Sequence, residues 1–229
     1  MALSGTYTFN PSLGELGLYA YSMCGVRRTE VTQEHMADLN MAANLVLAEW
    51  SSQGVNLWQV VLTTTPLVQG TATYTVDPAT VMILDAYVTV GSGVTATDRI
   101  ILPVSRSEYA TYPNKLQQGF PSVYWFDRLL SPTITLYQVP DGQEGSLSYY
   151  SVKQIQDASL GQAQQVDIPY YWLRAFARAL ASELAILYAP ERAQALKAIA
   201  DESYQKAADQ NIEDVPTYIT PMMSGYWRN

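Results

Sequence analysis

The spacing of hydrophobic residues divides the chain into two helical parts with a β-rich block between them. Apolar side chains recur every three or four residues over 12–54 and again over 167–211, as in amphipathic helices. Over 55–155, runs rich in Val, Thr and Tyr alternate with Gly and Pro at spacings of roughly ten residues, the pattern of strands joined by turns. The pattern therefore predicts an α+β fold.

Local signals predict where the first helices begin and end. Ser12 and Glu15 have the spacing of a capping box, and Gly25 is a typical helix end. A second helix is expected to begin after Thr29 or Thr32, since a Thr side chain can cap a helix N-terminus. We expect these two helices to pack as an antiparallel hairpin. The segment before them, 5–10, has the composition of a short strand.

The second helical part has the stronger apolar stripe. Pro169 suits the first turn of a helix, and Pro190 ends that helix before a more charged one follows. We expect the two helical parts to pack together as an antiparallel helical base. The predicted organisation is a base of 1–54 and 160–214, an inserted antiparallel β-rich block of 55–159, and an extended C-terminal arm of 215–229.

The charge of the chain argues against specific binding of nucleic acid. The formal net charge is −8, and no cluster of basic residues is longer than the pair Arg27 and Arg28. A protein that grips a phosphate backbone needs the opposite sign. An acidic wall past which DNA slides without sticking is compatible with this charge. Charged residues make up only 15% of the chain, and 17 Tyr stand against 4 Phe. This composition is typical of a covered surface, although Tyr is also common in β-rich proteins.

Motifs for cofactors and metals are absent from the sequence. Cys24 is the only cysteine and His35 the only histidine, which excludes an internal disulfide, a Cys-based metal site and a His-rich zinc site. There is no glycine-rich phosphate loop. We therefore expect no cofactor. Neither a signal peptide nor a run of about 20 apolar residues is visible, so we expect no membrane span and place the protein in the cytoplasm or in a particle assembled there.

Two residues are weak candidates for catalysis. Glu183 lies near the apolar stripe of its predicted helix, where burial would suit a carboxylic acid with a raised pKa. A position at the edge of the stripe, with pairing to Arg178 or another cation, is the more ordinary interpretation, and it is the one we favour. His35 lies early in a helix and is more easily explained as a structural residue than as a general base. The sequence therefore predicts a protein that is not an enzyme.

A compact run near the end of the β block has the composition of a rigid corner. Its cations can neutralise Glu108 or backbone carbonyls at a turn, and its glycine and proline fix the chain before a new strand. We favour this structural interpretation over a ligand site. The residues concerned are Arg106, Tyr109, Lys115, Gly119 and Pro121.

The end of the chain is rich in apolar and aromatic side chains that are costly to leave in water. A solvated tail is usually polar. The segment therefore either packs on its own domain or docks on another chain, and we favour docking on another chain because Met and aromatic residues are over-used at contact surfaces. The predicted partner-binding residues are Tyr218, Ile219, Met222, Met223, Tyr226 and Trp227.

Four motifs together resemble the head-to-tail adaptor (connector) proteins of short-tailed bacteriophages. The early helix pair runs into Leu47-Ala48-Glu49-Trp50, followed by Gly54 and Leu57-Trp58. The corner segment, the Pro-terminated strand Thr135-Leu136-Tyr137 before Pro140, and the Ala-rich helices of 169–211 are similar to the family's own. The likeness covers most of the chain.

The resemblance implies a virion structural protein assembled in the host cytoplasm. It implies a homo-oligomeric ring of twelve copies (a dodecamer) that docks under the portal protein at the capsid vertex, with a tail nozzle or another tail protein below. It also implies a lumen that conducts DNA during ejection without binding it specifically. A helical base with a C-terminal arm would engage the portal.

Two other classes of function stay open from the sequence. A peptidoglycan-degrading tail hydrolase would need two carboxylates roughly 5–10 Å apart in a cleft, and Glu183 with an Asp of the β block is the one pairing to nominate. A carbohydrate-binding tail module would use the aromatic residues of the β block.

Overall fold

The computed structural model describes residues 5–54, 56–91, 93–160 and 164–212. The first two helices are α1, Leu13–Cys24, and α2, Gln33–Ser52. The Ser12 hydroxyl accepts from the Glu15 amide and the Glu15 carboxylate accepts from the Ser12 amide, which confirms the predicted capping box. Gly25 ends α1 with a φ of 91°, a left-handed conformation that favours glycine.

The helices of the second half are α4, Leu173–Tyr188, and α5, Pro190–Ala208. A single 3₁₀ turn, Tyr170–Trp172, precedes α4, so α4 itself begins four residues after the Pro169 predicted as its start. Pro190 separates the two helices as predicted and takes the first position of α5, where its missing N–H costs nothing.

All four long helices share one hydrophobic core. Helices α1 and α2 meet at Gly17, where the Leu39 side chain fills the space that a Cβ atom would need. Their more extensive contacts, however, are with α4 rather than with each other. Helix α4 is therefore central, because α1, α2 and α5 all pack on it. Its fully buried positions include Phe176, Leu180 and Leu184.

The β-rich block forms a single curled sheet of seven strands, which confirms the α+β class. The order of strands across the sheet is β1-β7-β3-β4-β5-β6-β2. The strands are β1 Val60–Pro66, β2 Thr73–Thr75, β3 Thr80–Val90, β4 Thr97–Pro103, β5 Val123–Asp127, β6 Thr133–Tyr137 and β7 Glu144–Lys153. A second core, with Val88, Ile101, Ile134 and Leu147 at its centre, is formed by residues of this sheet.

The pairing within the sheet is antiparallel except between two strands. Strands β4 and β5 are parallel, with Leu102 beside Val123. A parallel pair needs a long connection, and the chain supplies one that contains the short helix α3, Arg106–Thr111. The antiparallel block predicted from the sequence is therefore found for every strand pair except this one. The predicted strand at 5–10 is also wrong, because these residues have no regular secondary structure.

An aromatic cluster lies between the helices and the start of β1. The Trp172 ring centroid is 4.9 Å from that of Trp50 and 5.4 Å from that of Trp58, which belongs to the 3₁₀ turn Leu57–Gln59 just before β1. Tyr204 of α5 packs on the same ring at 5.3 Å. One side chain therefore joins α2, α5 and the start of the sheet.

Candidate functional site

An apolar groove lies between the N-terminal segment, α1 and the beginning of α4. It encloses about 870 Å³. Four exposed aromatic side chains line it, with relative exposures of 102%, 81%, 54% and 81% for Tyr7, Phe9, Tyr19 and Tyr170. Glu15 and Arg174 are its charged residues, and Pro11, Leu16, Leu173 and Ala177 complete the lining. A concentration of exposed aromatic surface of this kind is typical of an interaction site. We call it the N-terminal groove.

A second groove runs between α2, α4 and α5 and encloses about 440 Å³. Three carboxylates line it, those of Glu49, Glu183 and Asp201, against the single cation Lys197. We call it the acidic groove. Glu183 is exposed there, so the burial that would make it a catalytic acid is absent. No Asp of the β block lines the acidic groove with it, within the part of the chain that the structure describes.

The two grooves lie on opposite faces of α4. Ala177 lines the N-terminal groove and Ile186 lines the acidic groove. Their spacing along α4 corresponds to about two and a half turns at 3.6 residues per turn, which points the two side chains in opposite directions. The neighbouring Arg178 donates to the hydroxyl of Ser203 on α5, and not to the carboxylate of Glu183 that the sequence suggested. Each subunit therefore presents two chemically different faces on either side of one helix.

The structure places Arg106, Tyr109 and Lys115 in and just after α3. The Lys115 ammonium donates to the carbonyls of Ala110 and Tyr112, at 3.2 and 3.0 Å, and lies 5.6 Å from the Tyr109 ring centroid. A cation therefore interacts with two backbone carbonyls at the end of this short helix, which is a structural contact. Arg106 is exposed at the first position of α3.

The other two residues of the corner control the path of the chain into β5. The Gly119 amide donates to the Val139 carbonyl at 2.9 Å. A Cβ atom on Gly119 would lie 2.6 Å from the side-chain oxygen of Gln138, so only glycine fits without a shift. Pro121 is buried two residues before Val123, where β5 begins. These contacts support a structural role.

A partly buried polar cluster between α1, α2 and α4 was missed in the sequence analysis. The Tyr21 hydroxyl donates to the backbone carbonyl of His35, and the Tyr188 hydroxyl donates to the carboxylate of Asp38. The His35 ring stacks on Tyr188 with 4.5 Å between centroids, and its Nδ1 accepts from the Thr32 amide at 3.2 Å. His35 is therefore the capping partner of α2. Spacing could not reveal the cluster, because Tyr188 comes from the far end of the chain.

The pKa values of the two phenol groups in this cluster, those of Tyr21 and Tyr188, are raised. The hydrogen bond to Asp38, followed by burial, raises the pKa of Tyr188 to about 12. Burial is the largest cause for Tyr21 and raises the pKa of its phenol further, with Tyr188 and Asp38 adding to it. Ionisation of either phenol would place a second negative charge beside the Asp38 carboxylate.

We expect the free energy of unfolding to fall as the pH rises from about 10 to about 12. The folded pKa of Tyr188 lies above its ordinary value of 10.0. Its contribution is therefore fully present below pH 10 and is lost as the pH passes the folded pKa. Tyr188→Phe should flatten this decline, measured by chemical denaturation at each pH, whereas Tyr170→Phe at an exposed position should leave it unchanged. A decline of wild-type steepness in Tyr188→Phe would contradict the assignment.

The partner-binding residues predicted in the C-terminal arm lie outside the described residues. These are Tyr218, Ile219, Met222, Met223, Tyr226 and Trp227. Among the residues with described positions, no three His, Cys, Asp or Glu side chains come together as a metal site. The helices of the described ranges include none with the length and apolarity needed to cross a membrane.

Comparison with known protein families matches residues 24–222 to the SU10 adaptor protein family. No curated protein matches the chain. The match begins at the last residue of α1, includes every strand of the sheet and both helices of the second half, and extends into the C-terminal arm. The chain therefore belongs to the SU10 adaptor protein family of phage head–tail adaptors and is a structural component of the virion.

Proposed function

We propose that the protein works as a ring of twelve copies that joins the portal protein at the capsid vertex to the tail nozzle. The observation that carries this proposal is the pair of unlike grooves on opposite faces of α4. A ring is built from head-to-tail contacts, in which one face of a subunit meets a different face of the next. A single surface that binds its own copy would instead give a closed dimer.

The helical base, the β-rich block and the C-terminal arm have different roles. The helical base, 1–54 with 160–214, supplies both grooves and hence the contacts around the ring. The β-rich block, 55–159, projects from the base, and its corner keeps β5 in register. The C-terminal arm, 215–229, docks on the portal through its Tyr, Ile, Met and Trp side chains.

The charge of the protein suits a channel for DNA. A net charge of −8 per copy is multiplied around a ring, so the lumen repels the phosphate backbone. DNA would then pass during ejection without being held at any one position. This is an electrostatic role that needs no catalytic residue.

Mass measurement under native conditions tests the proposal directly. The free protein is measured first, and then a mixture with portal assemblies. We expect twelve copies to be added to each portal assembly. A mixture in which the adaptor never associates with the portal, over a broad range of concentration and salt, would overturn the proposed function.

A further inference from the structure

We propose that the N-terminal groove is the docking site for the C-terminal arm of the same chain in the free subunit. The groove has four exposed aromatic side chains and just two charged ones. A surface of this kind would promote association of free subunits before assembly. A segment of the same chain that covers it removes this hazard.

A chain of contacts through one 3₁₀ turn connects the groove to the last described residues. Tyr170 lines the groove, and Trp172 in the same 3₁₀ turn packs on Tyr204 of α5. Beyond α5, the Asn211 side chain accepts a hydrogen bond from the Leu57 amide at 3.3 Å, beside the same aromatic cluster. The 3₁₀ turn Tyr170–Trp172 therefore has the groove on one side and the end of the described chain on the other.

The remaining length of chain is ample for this path. The 17 residues after Ile212 can span at most about 58 Å when fully extended. The whole of α4 is about 24 Å long at 1.5 Å per residue. The apolar part of the arm begins at Tyr218, so the preceding residues can pass around the 3₁₀ turn and bring it over the groove.

The arm and the groove are chemically complementary. The arm offers Met222 and Met223 between aromatic residues, and methionine sulfur packs favourably on aromatic rings. Its charges also match, because Glu213 and Asp214 precede the apolar part and Arg228 follows it. These can pair with Arg174 and Glu15, the two charged residues of the groove.

A tethered arm has a large advantage over the arm of another copy. A short flexible tether gives an effective concentration in the millimolar range. At micromolar protein concentration the arm of the same chain therefore occupies the groove first. The consequence rests on the proposed function. When the portal binds the arm, the arm leaves the groove, and the groove becomes free for the next subunit of the ring.

Limited proteolysis of the full chain tests this inference. Chymotrypsin cleavage after Tyr218, Tyr226 and Trp227 is followed by mass spectrometry. The variant with Tyr19→Ser and Tyr170→Ser should lose its arm about tenfold faster than the wild type, which corresponds to about 1.4 kcal/mol of lost contact. Both side chains are exposed, so the fold should tolerate their truncation.

Two further variants make the result specific. Met222→Ser with Met223→Ser alters only the arm and should accelerate cleavage to a similar extent. Tyr150→Ser removes an aromatic side chain from the sheet that is also exposed, at 40%, and should behave as the wild type. The cleavage rate of the wild type should be independent of protein concentration over about a hundredfold range, since an intramolecular contact is not diluted.

Two results would overturn the inference. Equal cleavage of the wild type and the groove variant would mean that the groove does not hold the arm. Protection that increases with protein concentration would mean that a neighbouring copy supplies the occupant. Measuring portal binding by the same variants distinguishes failure of this inference from failure of the proposed function. At an adaptor concentration too low for subunits to form a ring, the groove variant should bind the portal more tightly because its arm is already released, whereas normal binding by the methionine variant would count against the arm–portal contact alone.

Discussion

Deleting residues 215–229 should abolish docking on the portal while the described fold persists. The deletion removes six large apolar or aromatic side chains, those of Tyr218, Ile219, Met222, Met223, Tyr226 and Trp227. Full burial of one such side chain is worth about 1.5–3 kcal/mol. If half of them are buried against the portal, the loss is about 4–9 kcal/mol, a weakening of at least about a thousandfold.

The fold should persist because the residues of the two hydrophobic cores, within the part of the chain that the structure describes, all precede the arm. The helical core and the core of the sheet consist of residues between Leu13 and Ala207. Portal affinity is measured by sedimentation or surface binding, and secondary structure by circular dichroism. A chain with the arm residues in scrambled order is the matched control, because it keeps the composition and loses the order. Equal portal affinity of the wild type and the deletion would exclude the arm as the docking element.

The parts of the fold that depend on neighbouring residues could be predicted from the sequence. Ser12 and Glu15 lie one helical turn apart, so their mutual capping needs no information from the rest of the chain. The hairpin of β5 and β6 is local in the same way, since the two strands follow each other along the chain and are joined by a short turn. Pro190 likewise separates two helices by its own geometry.

The surfaces proposed as functional depend on contacts between distant residues and could not be predicted. The N-terminal groove joins Tyr7 and Phe9 to Tyr170, on opposite sides of the whole β block in sequence. The sequence showed an excess of Tyr over Phe but not which of the Tyr side chains would stay exposed. Glu183 shows the same difficulty: helical spacing placed it near the apolar stripe, yet the position of α5 decides that it lines an open groove.

The order in which the strands pair across the sheet could not be predicted from sequence patterns either. The parallel pairing of β4 with β5 follows from the path of the chain through α3. That path is fixed by contacts such as the stacking of Tyr109 on Trp125 and of Tyr112 on Tyr137, with centroid distances of 5.5 and 4.3 Å. Strand propensity reports on single segments and carries no information about such partners.

Replacing Trp172 by alanine should cause the largest loss of stability of any single substitution considered. Its side chain is 1% exposed and contacts Trp50, Trp58 and Tyr204. Truncation of a buried Trp to Ala costs about 3–5 kcal/mol, because the site loses its burial and cannot fully collapse. Against a total stability of about 5–15 kcal/mol, this is a large fraction.

Trp172→Ala should also destabilise the beginning of β1, because Trp58 lies just before β1 and packs on the Trp172 ring. Chemical denaturation measures the total effect, and hydrogen exchange at Val60 and Val61 measures the local one. Ile186→Ala, on the exposed side of the same helix, is the matched control and should change stability by less than about 0.5 kcal/mol. A loss below about 1 kcal/mol in Trp172→Ala, or unchanged exchange at the start of β1, would show that this ring does not couple the helices to the sheet.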